Sequence, residues 1–255
     1  MKPKKIVIAN WKMNPATVGE AKALFTQIKK KVGVLKKTYV VIAPPALFIG
    51  ITASAKKTKN FFLGAQNVHT QTGGAYTGEV SAPMLKDSGI SYVIVGHSER
   101  RAMGETDELV SKKVQTVLSS KMIPVLCIGE REHDQNGVYL STLSNQIKNS
   151  LAGVLKLDIG QVVIAYEPLW AIGKTAGEAM DSHKLHQTTL FIRKVLSELY
   201  GRLLADSVKI IYGGSVEAEN ASELIKNGNV SGFLVGHASL SSVSFSEILK
   251  SVDNA

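Results

Sequence analysis

Four short segments, each at the end of an apolar run, carry side chains that could do chemistry together. They are Asn10-Trp11-Lys12, Gly96-His97-Ser98-Glu99-Arg100, Tyr166-Glu167-Pro168-Leu169-Trp170-Ala171-Ile172-Gly173 and Tyr212-Gly213-Gly214-Ser215-Val216. They supply one amine cation, one imidazole, one carboxylate and a glycine-rich turn, enough to move a proton beside a carbonyl in a phosphorylated substrate. Glu167 leaves an apolar run, and a carboxylate at such an exit can take a carbon-bound proton once water is excluded. Taken alone, a glutamate there is more often a salt-bridge partner. However, Pro168 and Gly173 bracket an apolar tip, the composition of a loop that closes as a unit over a ligand. His97 stands where a strand gives way to a helical turn, and the positive end of a helix favours the neutral imidazole. Lys12 is a fixed charge at the end of the first run; a Schiff-base nucleophile is the alternative use of such an amine.

A phosphate site has the most direct rationale. Gly213-Gly214-Ser215 and the run from Gly232 to Ser239, which contains Gly236 and His237, follow the last two strand-like runs. One glycine pair would be read as a tight turn. Two such loops on consecutive final strands, with a short helix start after the second, present backbone N–H groups as an anion cradle.

These residues can meet only if the elements between them close up. Eight apolar, β-branched-rich runs recur along the chain: Ile6 to Ala9, Tyr39 to Ala43, Phe61 to Ala65, Tyr92 to Val95, Val125 to Ile128, Val162 to Ala165, Val208 to Tyr212 and Phe233 to Val235. Each is apolar at consecutive positions, as expected of strands covered on both faces. Amphipathic stretches separate them, among them Ala21 to Lys31, Asp107 to Leu118, Leu140 to Leu151 and Leu185 to Tyr200. In the last of these Leu185, Thr189, Ile192, Leu196 and Leu199 share a face, and Asp107 and Ser182 read as N-caps. Strict alternation predicts a parallel sheet, and eight repeats favour a closed (βα)8 barrel ringed by helices over an open doubly wound sheet. No Gly-x-Gly-x-x-Gly turn follows the first strand, which counts against a dinucleotide site. Residues 1–255 read as a single barrel domain. Lys12, His97, Glu167, Ser215 and Gly236 all follow their strands, the end of a barrel where chemistry sits.

Composition excludes several classes. The 255 residues are 44% hydrophobic and 20% charged, an ordinary globular balance. No apolar run approaches the ~20 residues of a membrane helix, and Ile6 to Ala9 is too short for a signal-peptide core after the basic start, so a cytoplasmic protein is expected. Cys127, the one cysteine, permits no internal disulfide and reads as a core thiol rather than a nucleophile. No metal-ligand spacing is present, and neither metal nor organic cofactor is expected. The net charge of +9 sits partly in Lys29-Lys30-Lys31, Lys36-Lys37 and Lys56-Lys57. No nucleic-acid motif accompanies it, so neither nucleic acid nor membrane is expected as a partner. A positive field would draw small anions instead.

The four segments, and the chain along nearly its whole length, resemble the triosephosphate isomerase family, which is itself the standard illustration of a carboxylate base working beside a neutral imidazole. The resemblance implies an aldose–ketose isomerase with Glu167 as the base, His97 as the proton relay, Lys12 as the electrostatic partner, and the loop from Pro168 to Gly173 as the lid. It implies that Asn10, Trp11, Lys12, Gly173, Ser215, Gly236 and His237 contact substrate, with Glu99 beside them. It implies a homodimer in which the loop around Thr77 reaches the partner's Asn10–Lys12 region. Other enzymes on such a barrel, including a lyase or aldolase using Lys12 covalently, and a silent binding protein are the alternatives; the latter would need damaged catalytic positions, and all three are intact.

The chain departs from the family in two places. His237 stands where a second glycine is usual. At positive φ a histidine would cost on the order of 1–2 kcal/mol, whereas in helical backbone its N–H is kept and the imidazole is extra; the second is expected. The lid tip runs from Ile172-Gly173 straight into Lys174-Thr175-Ala176-Gly177. Either two residues are missing from the tip or the second hinge is changed, so lid closure and turnover could differ from the family's.

Overall fold

Apolar residues at successive strand positions end in two separate layers. Ile6 and Ile8 cluster with Val41, Ala43, Ile94, Val125, Cys127, Ala165, Ile211 and Leu234 inside the sheet. Their strand neighbours Val7, Ala9, Val40, Ile42, Val95, Leu126 and Ile164 pack with helix residues such as Phe25, Val114, Leu143, Leu196 and Ile248 outside it. Both faces are therefore apolar because both are covered, and each fully buried Val, Leu or Ile contributes roughly 1.5–3 kcal/mol.

The computed structural model describes residues 5–53, 59–134, 136–174 and 180–255. Eight parallel strands, β1 (Lys5–Asn10), β2 (Thr38–Ala43), β3 (Phe61–Ala65), β4 (Tyr92–Val95), β5 (Ile123–Ile128), β6 (Val163–Tyr166), β7 (Lys209–Tyr212) and β8 (Gly232–Val235), form a closed barrel in sequence order. Closure pairs Val7 with Phe233 and Ile8 with Leu234. The expected (βα)8 barrel is the fold; β6 and β7 each start one residue later than expected, and β1, β2, β5 and β8 start one or two residues earlier. At the end of the barrel where strands begin, Phe62 meets Tyr39 and Tyr92 edge-on at 5.2 and 5.7 Å, which plugs that end and leaves the other for a site.

The helices begin one residue away from two of the expected caps. Thr106 rather than Asp107 caps Asp107–Ser119, its hydroxyl accepting from Leu109 N, and Asp181 rather than Ser182 caps Ser182–Tyr200 by accepting from Lys184 N. In both cases two cap-forming residues are adjacent, and the first of them has the extended backbone a cap requires. Helix Ser182–Tyr200 buries Leu185, Thr189, Ile192 and Leu196 as expected, but Leu199 is partly exposed and Val195 and Tyr200 take the core side. Lys30, Lys31, Lys36 and Lys37 are exposed, as the basic clusters imply, while Met1 to Lys4 and Lys56-Lys57 lie outside the described residues. Among the described residues no helix is long and apolar enough to cross a membrane.

Candidate active site

The ends of the strands surround a cavity of about 350 Å³ whose lining includes Asn10, Lys12, His97, Glu167, Gly173, Ser215, Gly236 and His237. Eight residues read from the sequence as site residues thus reach one mouth from β1, β4, β6, β7 and β8. Barrel closure brings them together, since they are far apart in the chain.

Glu167 is the first residue after β6, and it is almost fully buried. One carboxylate oxygen, Oε1, lies 3.2 Å from His97 Nε2, and the other accepts from Ser98 N at 3.1 Å. His97 is the N-cap of helix Ser98–Ala102, and its Nδ1 accepts from Glu99 N at 3.2 Å. A ring nitrogen that accepts from a backbone N–H cannot itself carry a proton, so the imidazole proton is on Nε2 and points at Glu167. The pair is a neutral imidazole donating to a carboxylate, and both side chains are nearly buried.

Backbone spacing around Glu167 leaves no room for side chains. A Cβ on Gly129, just past β5, would lie 1.8 Å from the Glu167 carbonyl oxygen, and one on Gly213 would lie 2.9 Å from Glu167 Cγ. A Cβ on Gly214 would lie 2.2 Å from Tyr212 Oη. The Gly213-Gly214 pair therefore also makes room for Glu167 and Tyr212, a role its spacing does not show.

Lys12 sits on a turn with φ 53, a left-handed conformation that costs a non-glycine residue on the order of 1–2 kcal/mol. Its backbone is held from both sides: its N–H donates to Asn10 Oδ1 at 3.0 Å, and its carbonyl accepts from Gln66 Nε2 at 2.8 Å. Its ammonium pairs with Glu99 Oε1 at 2.7 Å. Trp11, expected to touch substrate, is fully buried, packs in the layer between sheet and helices, and is not part of the cavity lining. Strand alternation explains this placement, because Asn10 and Lys12 take the mouth and the residue between them faces away.

The loops after the last two strands carry the residues expected to form the cradle. Ser215 Oγ accepts from Lys174 N at 3.1 Å, which ties the end of the Leu169–Gly173 segment across the cavity. His237 opens the short 3₁₀ turn His237–Leu240, is exposed, and is absent from the non-glycine residues with positive φ, which are Lys12, Lys121 and Asn229 among those described. The strained alternative for His237 is thereby excluded. Thr175, Ala176 and Gly177, on which the changed second hinge was read, lie outside the described residues. Thr77 is exposed on a loop outside the cavity lining.

Gln66 and Glu130 lie outside the four segments, and Ser98 lies within one without being read as a site residue. Ser98 N, Gln66 and Glu130 hold Glu167, Lys12 and the backbone at Leu169. Gln66 follows β3 directly and Glu130 lies two residues past β5, so the strand-exit rule that pointed to Glu167 also reaches them. Glu130 Oε1 accepts from Tyr166 Oη at 2.9 Å and from Trp170 Nε1 at 2.8 Å. Burial, and then the Glu130 charge, push the Tyr166 hydroxyl far above its ordinary range. Burial also pushes the Cys127 thiol up, and the Glu167 carboxylate adds to the shift, which suits a packed thiol and not a nucleophile. Among the described residues no three His, Cys, Asp or Glu side chains are grouped so as to hold a metal ion.

The sequence matches known proteins along nearly its whole length. Residues 5–252 match the family model described as triosephosphate isomerase. Curated proteins of that name share 41% identity over 96% of this chain and 97% of the relative in Moorella thermoacetica, and 42% over 97% and 98% in Fusobacterium nucleatum. A third, from Flavobacterium johnsoniae, is 39% identical over 98% of this chain and 99% of its own. With a barrel that puts lysine, imidazole, carboxylate and cradle at one mouth, and a match of this extent, the chain belongs to the triosephosphate isomerase family.

Proposed function

We infer that the chain, an isomerase by family, interconverts D-glyceraldehyde 3-phosphate and dihydroxyacetone phosphate as one catalytic barrel domain, serving glycolysis and gluconeogenesis in the cytoplasm. The observation that carries this reading is the buried contact of His97 Nε2 with Glu167 at a mouth shared with Lys12 and the cradle. Glu167 removes the proton from the carbon beside the carbonyl. The C–H electron pair forms the carbon–carbon double bond of an enediolate, and the carbonyl pair moves onto oxygen. His97 Nε2–H donates to that oxygen, and Lys12 stabilises its charge. His97 gives its Nε2 proton to that oxygen and takes the proton of the neighbouring hydroxyl. The oxygen of that hydroxyl re-forms a carbonyl as Glu167 returns its proton to the carbon that bore the first carbonyl, so no electron leaves the substrate and no cofactor is called for. Glu167 must leave Ser98 N to reach the carbon, and the incoming substrate oxygen takes over its contact with His97. A coupled assay with glyceraldehyde 3-phosphate tests the reading: fast turnover is expected, and none in a folded protein that still binds a phosphate analogue would overturn it.

The cradle of Gly173, Ser215, Gly236 and His237 holds the phosphate dianion, with His237 contributing through its backbone N–H. The helical backbone at His237 supports this role. His237→Gly should change substrate KM by less than about tenfold, because the same N–H stays in place; a tenfold or larger gain in affinity would show that histidine spoils the donor.

The chain forms a homodimer through the loop around Thr77. A second cavity of about 350 Å³, lined by Met13, Gln66, Glu99, Arg100 and Met103, opens beside Lys12, and both methionines there are largely exposed. An apolar-rimmed cavity next to the catalytic lysine supports the docking of a partner's loop. Light scattering should give twice the mass of the chain at micromolar concentration, and a monomer would refute the dimer.

A further inference from the structure

Glu130 sits under the first turn of the lid, outside the cavity that holds Glu167 and His97. Its side chain is buried, its carbonyl accepts from Leu169 N at 2.9 Å, and its Oε1 already takes the two donors Tyr166 Oη and Trp170 Nε1 at 2.9 and 2.8 Å. A third donor waits beside them. His133 places Nδ1 3.5 Å from the same Oε1, and this nitrogen is buried with no hydrogen-bond partner. A carboxylate oxygen offers about two lone pairs, and Tyr166 and Trp170 fill both, so the imidazole is held just outside bonding range.

The ring is fixed there by its neighbours. It stacks on Tyr139 at 3.9 Å and on Trp170 at 5.4 Å between centroids. Asp134, the next residue, clamps the turn by accepting from Val138 N at 3.0 Å and Tyr139 N at 2.7 Å.

We propose that His133 is a positioning residue for the lid, the donor that takes the place of Trp170 on Glu130 when the lid opens. The proposal rests on the isomerase reading, with Pro168 to Gly173 as its lid. Lifting Trp170 away vacates a lone pair on a buried carboxylate oxygen, which is costly unless another donor fills it. His133 can do so with a shift of well under ~1 Å, the gap between its present distance and a normal hydrogen bond. By stabilising the open state it speeds release of product. The charged and titratable groups around it are Glu130 past β5, Tyr166 on β6, Tyr139 on helix Val138–Ser150, and Arg131, Glu132 and Asp134 in its own turn. Burial, then Glu130, push the hydroxyls of Tyr166 and Tyr139 upward, so both stay neutral where an imidazole changes charge.

The test is the rate at which 2-phosphoglycolate, a carboxylate–phosphate mimic of the enediolate, leaves the enzyme. Trp170 fluorescence reports it, since Trp11 is the only other tryptophan and is fully buried. His133→Phe keeps the ring for stacking and removes the donor; His133→Gln keeps a donor without charge. Release from His133→Phe should be about 5–10-fold slower than from the unchanged enzyme, the effect of one lost hydrogen bond in the open state. Its kcat should fall while kcat/KM is nearly kept. Release from His133→Gln should stay close to that of the unchanged enzyme, because the amide still donates. Equal release rates in His133→Phe and the unchanged enzyme overturn the proposal, and so does release from His133→Gln as slow as a lost donor would make it, which carries the test should the phenylalanine variant not fold. An unchanged enzyme that neither turns over triose phosphate nor binds the analogue overturns the isomerase reading itself, a separate outcome.

Discussion

Glu167→Gln is expected to lower kcat by about 10²–10⁴-fold, the usual worth of a positioned base, with KM nearly unchanged. Glutamine has the same shape but a single acceptor oxygen, so it keeps one of the two contacts that hold Glu167, from Ser98 N at 3.1 Å or His97 Nε2 at 3.2 Å, and turns its amide N–H to the other donor. The loss would therefore report basicity together with one lost contact, and not the length of the arm. Glu167→Asp separates the two in the other direction, because it keeps the charge and shortens the arm by about 1 Å. That displacement alone should cost on the order of 10²-fold in turnover, as misplacement of a reacting group by an ångström commonly does. Gly129 and Gly213 leave no space for the backbone to follow the shorter side chain, so relaxation cannot recover the reach. Steady-state kinetics on both variants, with circular dichroism to verify the fold, checks the expectation. Near-normal turnover in either one would remove Glu167 from the base role.

Lys12→Met should lower kcat/KM by about 10²–10³-fold, the range found when one donor to a developing oxyanion is removed from a preorganised site. The ammonium is aimed by its backbone, which is held in a left-handed turn by Asn10 and Gln66, and by the ion pair with Glu99 at 2.7 Å. Arginine should not restore the activity, since its planar fork cannot occupy the place of a compact point charge on this turn. The pairing with Glu99 also argues against a covalent use, because an ammonium engaged in an ion pair is not a nucleophile. Borohydride added with substrate should leave no stable adduct on Lys12, measured by mass spectrometry. A trapped adduct would sink the electrostatic role and favour lyase or aldolase chemistry.

The barrel was legible in the sequence because its cause is local and repeated. Each strand is apolar at consecutive positions, since one parity fills the interior and the other meets the helices, and eight such runs alternating with amphipathic stretches have few other ways to bury both faces. The strand exits were legible for the same reason, and with them Lys12, His97, Glu167 and the cradle. The cap at Thr106 was not, because two adjacent residues could each cap and only the backbone turn of the folded chain selects one.

Tertiary structure decided which atoms meet. Which side of the sheet Trp11 takes depends on how β1 joins β2 and β8, and that pairing turns it toward the helices. The neutral tautomer of His97 follows from Glu99 N on one side and Glu167 on the other, contacts that no window of sequence contains together. Glu130, Tyr166, Trp170 and His133 converge from β5, β6 and the lid only once the barrel has closed. Local periodicity records burial one element at a time, while a shared proton or a contested lone pair requires groups from several elements within about 3 Å, a condition set by the packed fold alone.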